Sequence, residues 1–466
     1  MPEAALREVL RVAGWPEAAG GAIAIAGADP VLATRFRIGT AGAAAIGAAA
    51  LAAAELWALR AGRVRQKVAL DLRRVTAALA SSRYLRIDGA PPRNFFDALS
   101  GFHIAGDGRS LMLHCNFPNH RAAALRVLGL ADGATRESVA TAVRAAPDGF
   151  ALESAIHEAG GCAALVRSTE DWRHGAPAAA VATLPLIEIE RIGDAPPERL
   201  PPGERPLAGV RVLDVTRVLA GPTCARTLAE HGADVLKIAA PHLADSGDMD
   251  IDTGLGKRSA FLDLRRDGDR ETFRALIAEG RCDVFSQAYR PGTLAARGLG
   301  ADVLAALRPG IVMVELSAWG RLGPWSGRRG FDTIVQSASG MALIEGAGAP
   351  RLMPVSAIDY VSGYLMAFGA ITALLRRARE GGSWRVRVSL ARTGQWIVDR
   401  GLLDAAAIAD LPRELPDAEI AGWSEETAAP RGMIRHLAPV AQLAETPARW
   451  ERPPVPLGHD APEWLA

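Results

Sequence analysis

GVRVLDVTRVLAGPTCARTLAEHGADVLKI, residues 209–238, is the stretch that sets the fold class. Its opening run, 209–215, is short and rich in β-branched residues, as a buried strand requires. Gly221-Pro222 then marks a turn, residues 224–230 read as a helix, and 233–238 as a second strand. Outward from there, 258–264, 283–286 and 311–316 are further strand candidates, with helical segments between several of them. Strands alternating with helices imply an α/β fold, a Rossmann-like doubly wound parallel sheet covered on both faces. Residues 360–379 form a long helix whose last turn, with Arg376, Arg377 and Arg379, suits the negative end of the helix dipole.

The clearest break in the chain is GDAPPERLPPGERP, residues 193–206, where proline, glycine and charge replace any apolar period. It divides the chain into an N-terminal module (1–192), this linker, a sheet domain (207–400) and a C-terminal extension and tail (401–466). The N-terminal module contains an echo of the sheet domain. Residues 39–74 and 357–392 each run from a long apolar helix through a basic glycine-containing turn into an alternating strand. Val68, Leu70 and Leu72 match Val386, Val388 and Leu390, and Arg74 matches Arg392, so one helix–turn–strand unit is read as repeated. The alternative is two independent alanine-rich helices, each followed by a strand.

Charge excludes some functions. Lys plus Arg number 53 against 52 for Asp plus Glu, so nothing pulls the chain towards nucleic acid or an anionic membrane. An anionic ligand must be held by a local site. The four cysteines, Cys115, Cys162, Cys224 and Cys282, form no CxxC pair, which argues against a structural zinc and fits a reducing cytoplasm. GTAGAAAIGAAALAAAELWAL (39–59) is long enough to span a bilayer but gains little from lipid, so a buried helix of a soluble protein is expected. His103, His114 and His120 lack metal-ligand spacing and are expected on the surface or in turns; no metal is expected.

In order along the chain, PLAGVRVLDVTRVLAGP (206–222), GADVLKI (232–238), GKRSAFLDLR (256–265), RPGTLAARGLG (290–300), GFDTIVQSASGM (330–341) and VSAIDYVSGYLMAFGAITALLRR (355–377) resemble CoA-transferase family III, the CaiB/BaiF-like enzymes. The resemblance implies a CoA-binding Rossmann-like domain, with acyl-CoA and a small carboxylic acid as substrates and no permanently bound cofactor. It also implies a homodimer of interlocked chains. It makes Asp359 the nucleophile, acting through an aspartyl-acyl anhydride and an aspartyl-CoA thioester. It assigns CoA contacts to Val218, Leu219, Ala220, Leu262, Arg265, Tyr289 and Arg329. Residues 106–130 and 150–172 are similar to the family's smaller α+β domain, which implies a rearranged order with the small domain first. The N-terminal copy of the repeat sets Ile38-Gly39-Thr40 opposite Ile358-Asp359-Tyr360 and has no carboxylate, so one site per chain is expected.

Physical chemistry alone gives Asp359 two readings. A carboxylate at a helix N-terminus is stabilised by free N–H groups and should stay ionised, and those N–H groups would serve a developing oxyanion. The plainer reading is a capping aspartate. Three departures from the family bear on CoA affinity and substrate choice: Ala239 and Ala240 follow the second strand, Ala296 replaces an arginine, and no glycine-rich substrate loop is present. These motivate an alternative, a catalytically weak CoA-binding subunit. An acyl-CoA racemase would pair its aspartate with a histidine in a Gly-His-Asp triplet, and here the triplet is Gly330-Phe331-Asp332. No glycine fingerprint supports a nicotinamide enzyme.

Overall fold

Strand, helix, strand and helix follow one another in β1 (Ile23–Ala26), α1 (Ile38–Ala61), β2 (Val68–Asp71) and α2 (Leu72–Ala78). β1 and β2 pair in parallel. This is a computed structural model, and it describes residues 1–278 and 282–465. α1 is buried on all sides rather than along one stripe. Its small residues permit that: a Cβ on Gly42 would lie 2.8 Å from Val75 Cγ1 of α2.

A smaller α+β body follows. β3 (Gly101–Ile104) and β4 (Ser110–Leu113) pair antiparallel, α3 (Pro118–Val127) comes next, and β5 (Ala163–Leu165) pairs antiparallel with β4. Its core, around Leu111, Leu113, Val143 and Ile156, is distinct from that of the large sheet.

The large sheet has seven strands. In chain order these are β6 (Glu188–Gly193), β7 (Arg211–Asp214), then helix α4 (Ala220–Glu230), β8 (Asp234–Ala239), β9 (Lys257–Phe261), β10 (Val284–Gln287) and β11 (Val312–Ser317). Helices α5 (Asp332–Ala338) and α6 (Ala357–Glu380) precede the last strand, β12 (Ser383–Ser389), and α7 (Leu390–Asp399) closes the run. The spatial order is β9-β8-β7-β10-β11-β12-β6, parallel except for β6, which pairs antiparallel with β12. β10 is buried along its whole length and β11 nearly so, as strands covered on both faces must be. β6, by contrast, carries Glu188 and Glu190 opposite Arg387 and Arg385, so the sheet's edge is fastened by cross-strand ion pairs. Residues before the proline-rich break thus share one sheet with residues after it.

Most element ends agree with expectation to within a few residues. β9 stops early, at Phe261, because Asp263 turns the chain by accepting from Arg265 N at 3.0 Å. α4 starts at Ala220 rather than 224, with Pro222 in its first turn, where a missing N–H costs nothing. α1 and α6 are each long and apolar enough to cross a membrane, and both are mostly buried inside this fold. They pack along each other more extensively than any other pair of elements, fastened at one end by an ion pair between Arg379 and Glu55. Each buried Leu, Ile or Phe there contributes roughly 1.5–3 kcal/mol relative to exposure. The C-terminal segment crosses back to the N-terminal module: a hairpin, Ser424–Ala429 with Gly432–Leu437, pairs with Arg86–Ile87, and Gln442–Leu443 pairs with β2.

Candidate functional site

The strand order reverses at β7, whose neighbours β8 and β10 lead away in opposite directions, and the loops after β7 and β10 part there to leave a crevice. The turn after β7 is held rigidly. Asp214, fully buried, accepts from Thr216 N at 2.9 Å and from Lys257 Nζ at 2.9 Å. Lys237 Nζ donates to the Thr216 carbonyl at 3.0 Å. At the rim, Val218 adopts φ 72°, a left-handed conformation that is costly for a β-branched residue, on the order of 1–3 kcal/mol. Gly221 is needed next to it, since a Cβ there would fall 2.3 Å from Thr216 Cβ. Strain held in place by a buried charge network points to a turn shaped for a ligand.

α6 passes directly beneath. A Cβ on Gly363 would lie 2.4 Å from the Ala220 carbonyl, so the glycine lets the two helices touch and brings the start of α6 to the turn. Asp359 is the third residue of α6 and is 7 % exposed. It does not cap its helix. That part is played by Asp332 of α5, whose Oδ2 accepts from Asp359 N at 3.1 Å. Asp332 is itself held by Gln336 Nε2, and Gln336 Oε1 takes the Met353 N–H at 2.8 Å.

This reverses the expectation of a freely ionised Asp359 at an open helix end. Burial first, and the neighbouring Asp332 carboxyl second, push Asp359 well above the ordinary carboxylate range. Burial also raises Asp332, but its hydrogen bonds from Gln336 and from backbone N–H groups favour its charged form. Of the two, Asp332 is the better place for the charge and Asp359 the better place for the proton. The Asp359 N–H is spent on Asp332 and that of Tyr360 on the Ser356 carbonyl, so neither is free for an oxyanion.

Asp359 lines a cavity of about 360 Å³. Val218, Leu219, Ala220, Tyr289 and Arg329, five of the expected CoA contacts, line the same cavity. Leu262 and Arg265 do not. Leu262 is packed into the core beside Leu236 and Phe273. Arg265 is exposed and turned onto Asp263, at 2.6 Å.

Sequence reading missed three of the cavity's four arginines: Arg217, Arg290 and Arg328 join Arg329. Arg217 lies over the Phe117 ring at 5.0 Å and donates to the Ala244 carbonyl. Arg290 reaches the Gly327 carbonyl at 3.4 Å, and Arg328 lies over Trp325 at 4.7 Å with its Nη1 buried and unpartnered. None of these contacts is with a carboxylate. The position of Arg217 beside Val218, and the Arg328-Arg329 pair, were the available signals.

The opposite wall comes from the small body. Phe117, Asn119 and His120 line the cavity. The His114 ring stacks on Phe331 with centroids 3.8 Å apart and planes 2° from parallel, and His120 meets Phe331 edge-on at 5.7 Å. The expectation of surface histidines is therefore corrected: His103, His114 and His120 are all buried. Contact between two bodies distant in sequence buries the latter two. Burial, with help from Arg329 and Arg217, pulls His120 down to about 4, so its ring is neutral at pH 7; among the described residues its Nδ1 has no partner. Among the described residues, no group of three or more His, Cys, Asp or Glu side chains is placed to hold a metal ion.

Residues 207–435 match the family model of CoA-transferase family III. This segment is similar to that family. Among curated relatives, the family III segment is similar to the acetyl-coenzyme A transferase nodX of Hypoxylon pulicicidum, 36% identical over 203 residues, which are 42% of this chain and 34% of that protein. It is also similar to the beta subunit of succinyl-CoA–L-malate CoA-transferase from Chloroflexus aurantiacus, 36% identical over 193 residues, 38% of this chain and 47% of that one. The chain thus spans about a third to a half of the length of these relatives. A solved CaiB/BaiF family protein from Brucella suis is 25% identical, with a TM-score of 0.39, covering 50% of this chain and 65% of that one.

Proposed function

We propose that this chain moves CoA from an acyl-CoA thioester to a small carboxylic acid, with Asp359 as nucleophile. One observation carries the reading. Among the described residues, Asp359 is the one carboxylate lining the cavity, and the four arginines that share its wall contact no carboxylate. In a chain with a net charge of +1, that is a local site for a polyanion such as CoA. The turn at Val218 and the Tyr289 ring would flank the CoA, and the reacting acyl group would lie between Asp359 and the wall of Phe117, His120 and Phe331.

Asp359 must lose its proton to act. Its carboxylate then attacks the thioester carbonyl, forming a C–O bond; collapse breaks the C–S bond and releases CoA thiolate. The thiolate attacks the aspartyl carbonyl of the anhydride, expels the donor acid as carboxylate and leaves an aspartyl-CoA thioester. The acceptor carboxylate attacks that thioester, again freeing thiolate, and the thiolate takes the acceptor acyl group, restoring Asp359. A desolvated carboxylate is more nucleophilic than a hydrated one, and Asp359 is buried on the cavity wall.

We also read the chain as a rearranged version of the family arrangement: an N-terminal module (1–192) ahead of the linker (193–206), the CoA-binding domain (207–400) and the tail (401–466). A second activity is favoured by one observation, the neutral His120 on the same cavity as Asp359. Two such groups flanking an acyl α-carbon would exchange its proton. An assay separates the two. Incubation of an acyl-CoA with a labelled free acid in deuterated buffer should give labelled acyl-CoA without deuterium at the α-carbon. Deuterium uptake with no new thioester would replace the transferase reading with the racemase one.

A further inference from the structure

We infer that residues 23–80 are an emptied second copy of the catalytic unit at 312–399, and that the chain contains within itself the pairing of two such units, with one active site. The inference rests on the proposed role of Asp359 only for deciding which copy is active.

The two units agree in five independent respects. α1 and α6 are both 24 residues long. Each lies between two strands that pair in parallel, β1 with β2 and β11 with β12. Each helix is capped by an aspartate from the connection before it. Asp29 accepts from Gly39 N at 3.0 Å and Thr40 N at 2.7 Å, just as Asp332 accepts from Asp359 N. The last strand residue then caps the next helix: Asp71 accepts from Arg73 N and Arg74 N, and Ser389 from Arg392 N. Those following helices begin at Leu72 and Leu390. A chance pair of alanine-rich helices would share length or flanking strands, not a cap delivered from the same place.

The differences show what was removed. Counted from the first helical residue, the counterpart of Asp359 is Thr40 rather than the Gly39 expected, one place before the Ala41 that the strand pairing gives, because the turn and strand at 62–71 are one residue longer than those at 381–389. Thr40 is 1 % exposed. The connection from β1 to α1 is also short, residues 27–37. The corresponding stretch, 318–356, carries Arg328, Arg329 and Phe331, which wall the catalytic cavity. The first copy has kept its scaffold and lost both nucleophile and wall.

α1 covers α6 along its length, so the flank that a second chain's equivalent helix would need is already occupied. The cavity's far wall, Phe117 to His120, is likewise supplied by the same chain. The chain should therefore work alone. The test is native mass spectrometry from micromolar to low nanomolar concentration, with calorimetric titration of CoA. The expected result is the mass of one 466-residue chain at every concentration and one CoA per chain. A stable dimer, or two CoA per chain, would overturn the inference. Both readouts stand if no acyl transfer is detected, so failure of the proposed function is seen separately, as one-to-one CoA binding without turnover.

Discussion

α1 and α6 have the same length, the same kind of aspartate cap and the same flanking strands, yet one is almost featureless and the other places a carboxylate at a cavity. α1 is built largely of alanine and glycine and is closed against Asp29 and Leu72. α6 meets the strained turn at Val218 and the loop carrying Arg328, Arg329 and Phe331. What the copies share is what the fold needs, a capped helix between parallel strands. What only the second has, Asp359 and the long connection before it, is what the chemistry needs.

The largest effect expected from this contrast is on turnover. Asp359→Asn should lower transfer by at least about 10³-fold, since it removes the attacking atom, whereas Thr40→Ala at the matching place should leave it within about twofold. Comparable losses from both, in folded proteins, would break the contrast. Next come the arginines. Arg329→Ala, on the cavity, should raise KM for the thioester about tenfold with a smaller change in kcat, while Arg265→Ala, already turned onto Asp263, should change KM less than about twofold. Equal effects would mean that CoA reaches further along the sheet than the cavity does.

The capping aspartates sharpen the comparison further. Asp332→Asn removes a negative neighbour that pushes Asp359 upward, so the rising limb of the pH–rate profile should move to lower pH. Asp29→Ala should cost about 1 kcal/mol of stability, the ordinary worth of a cap, and leave the profile where it is. The smallest expected effect is on thermal stability. Because the raised Asp359 carboxyl is protonated more readily in the folded state, its contribution is complete at acid pH and is lost as pH rises through its folded value. Asp359→Asn, which cannot ionise, should therefore melt a few degrees above the unaltered protein near pH 8, and the gap should narrow as pH falls towards the ordinary carboxylate range.

Much of the catalytic half was legible in the sequence because its signals are local. The β-branched run before Asp214 and the position of Asp359 at a helix start can each be read within a few residues. β6 was not foreseen as part of the large sheet. Its alternating Glu and Arg residues suit an edge strand, but nothing local says that Arg385 and Arg387, nearly 200 residues on, will pair with it. The state of Asp359 was misread for the same reason. Its neighbour Asp332 lies 27 residues earlier in the chain, and only the packing of α5 against α6 brings the two together. The buried histidines are the third case. His120 sits just inside a short helix and looks solvated until the small body folds against Phe331. Contacts within a unit left a trace in the sequence, and contacts between units did not.

The most direct measurement is intact-mass and peptide-mapping spectrometry of the protein after exposure to a panel of acyl-CoA thioesters, with Asp359→Asn alongside. The expected result is a hydroxylamine-sensitive acyl or CoA adduct on the peptide containing Asp359, absent from the variant and from the peptide containing Thr40. No adduct from any thioester, with CoA still binding, would contradict a nucleophilic Asp359 and leave the chain a CoA-binding subunit without transfer chemistry.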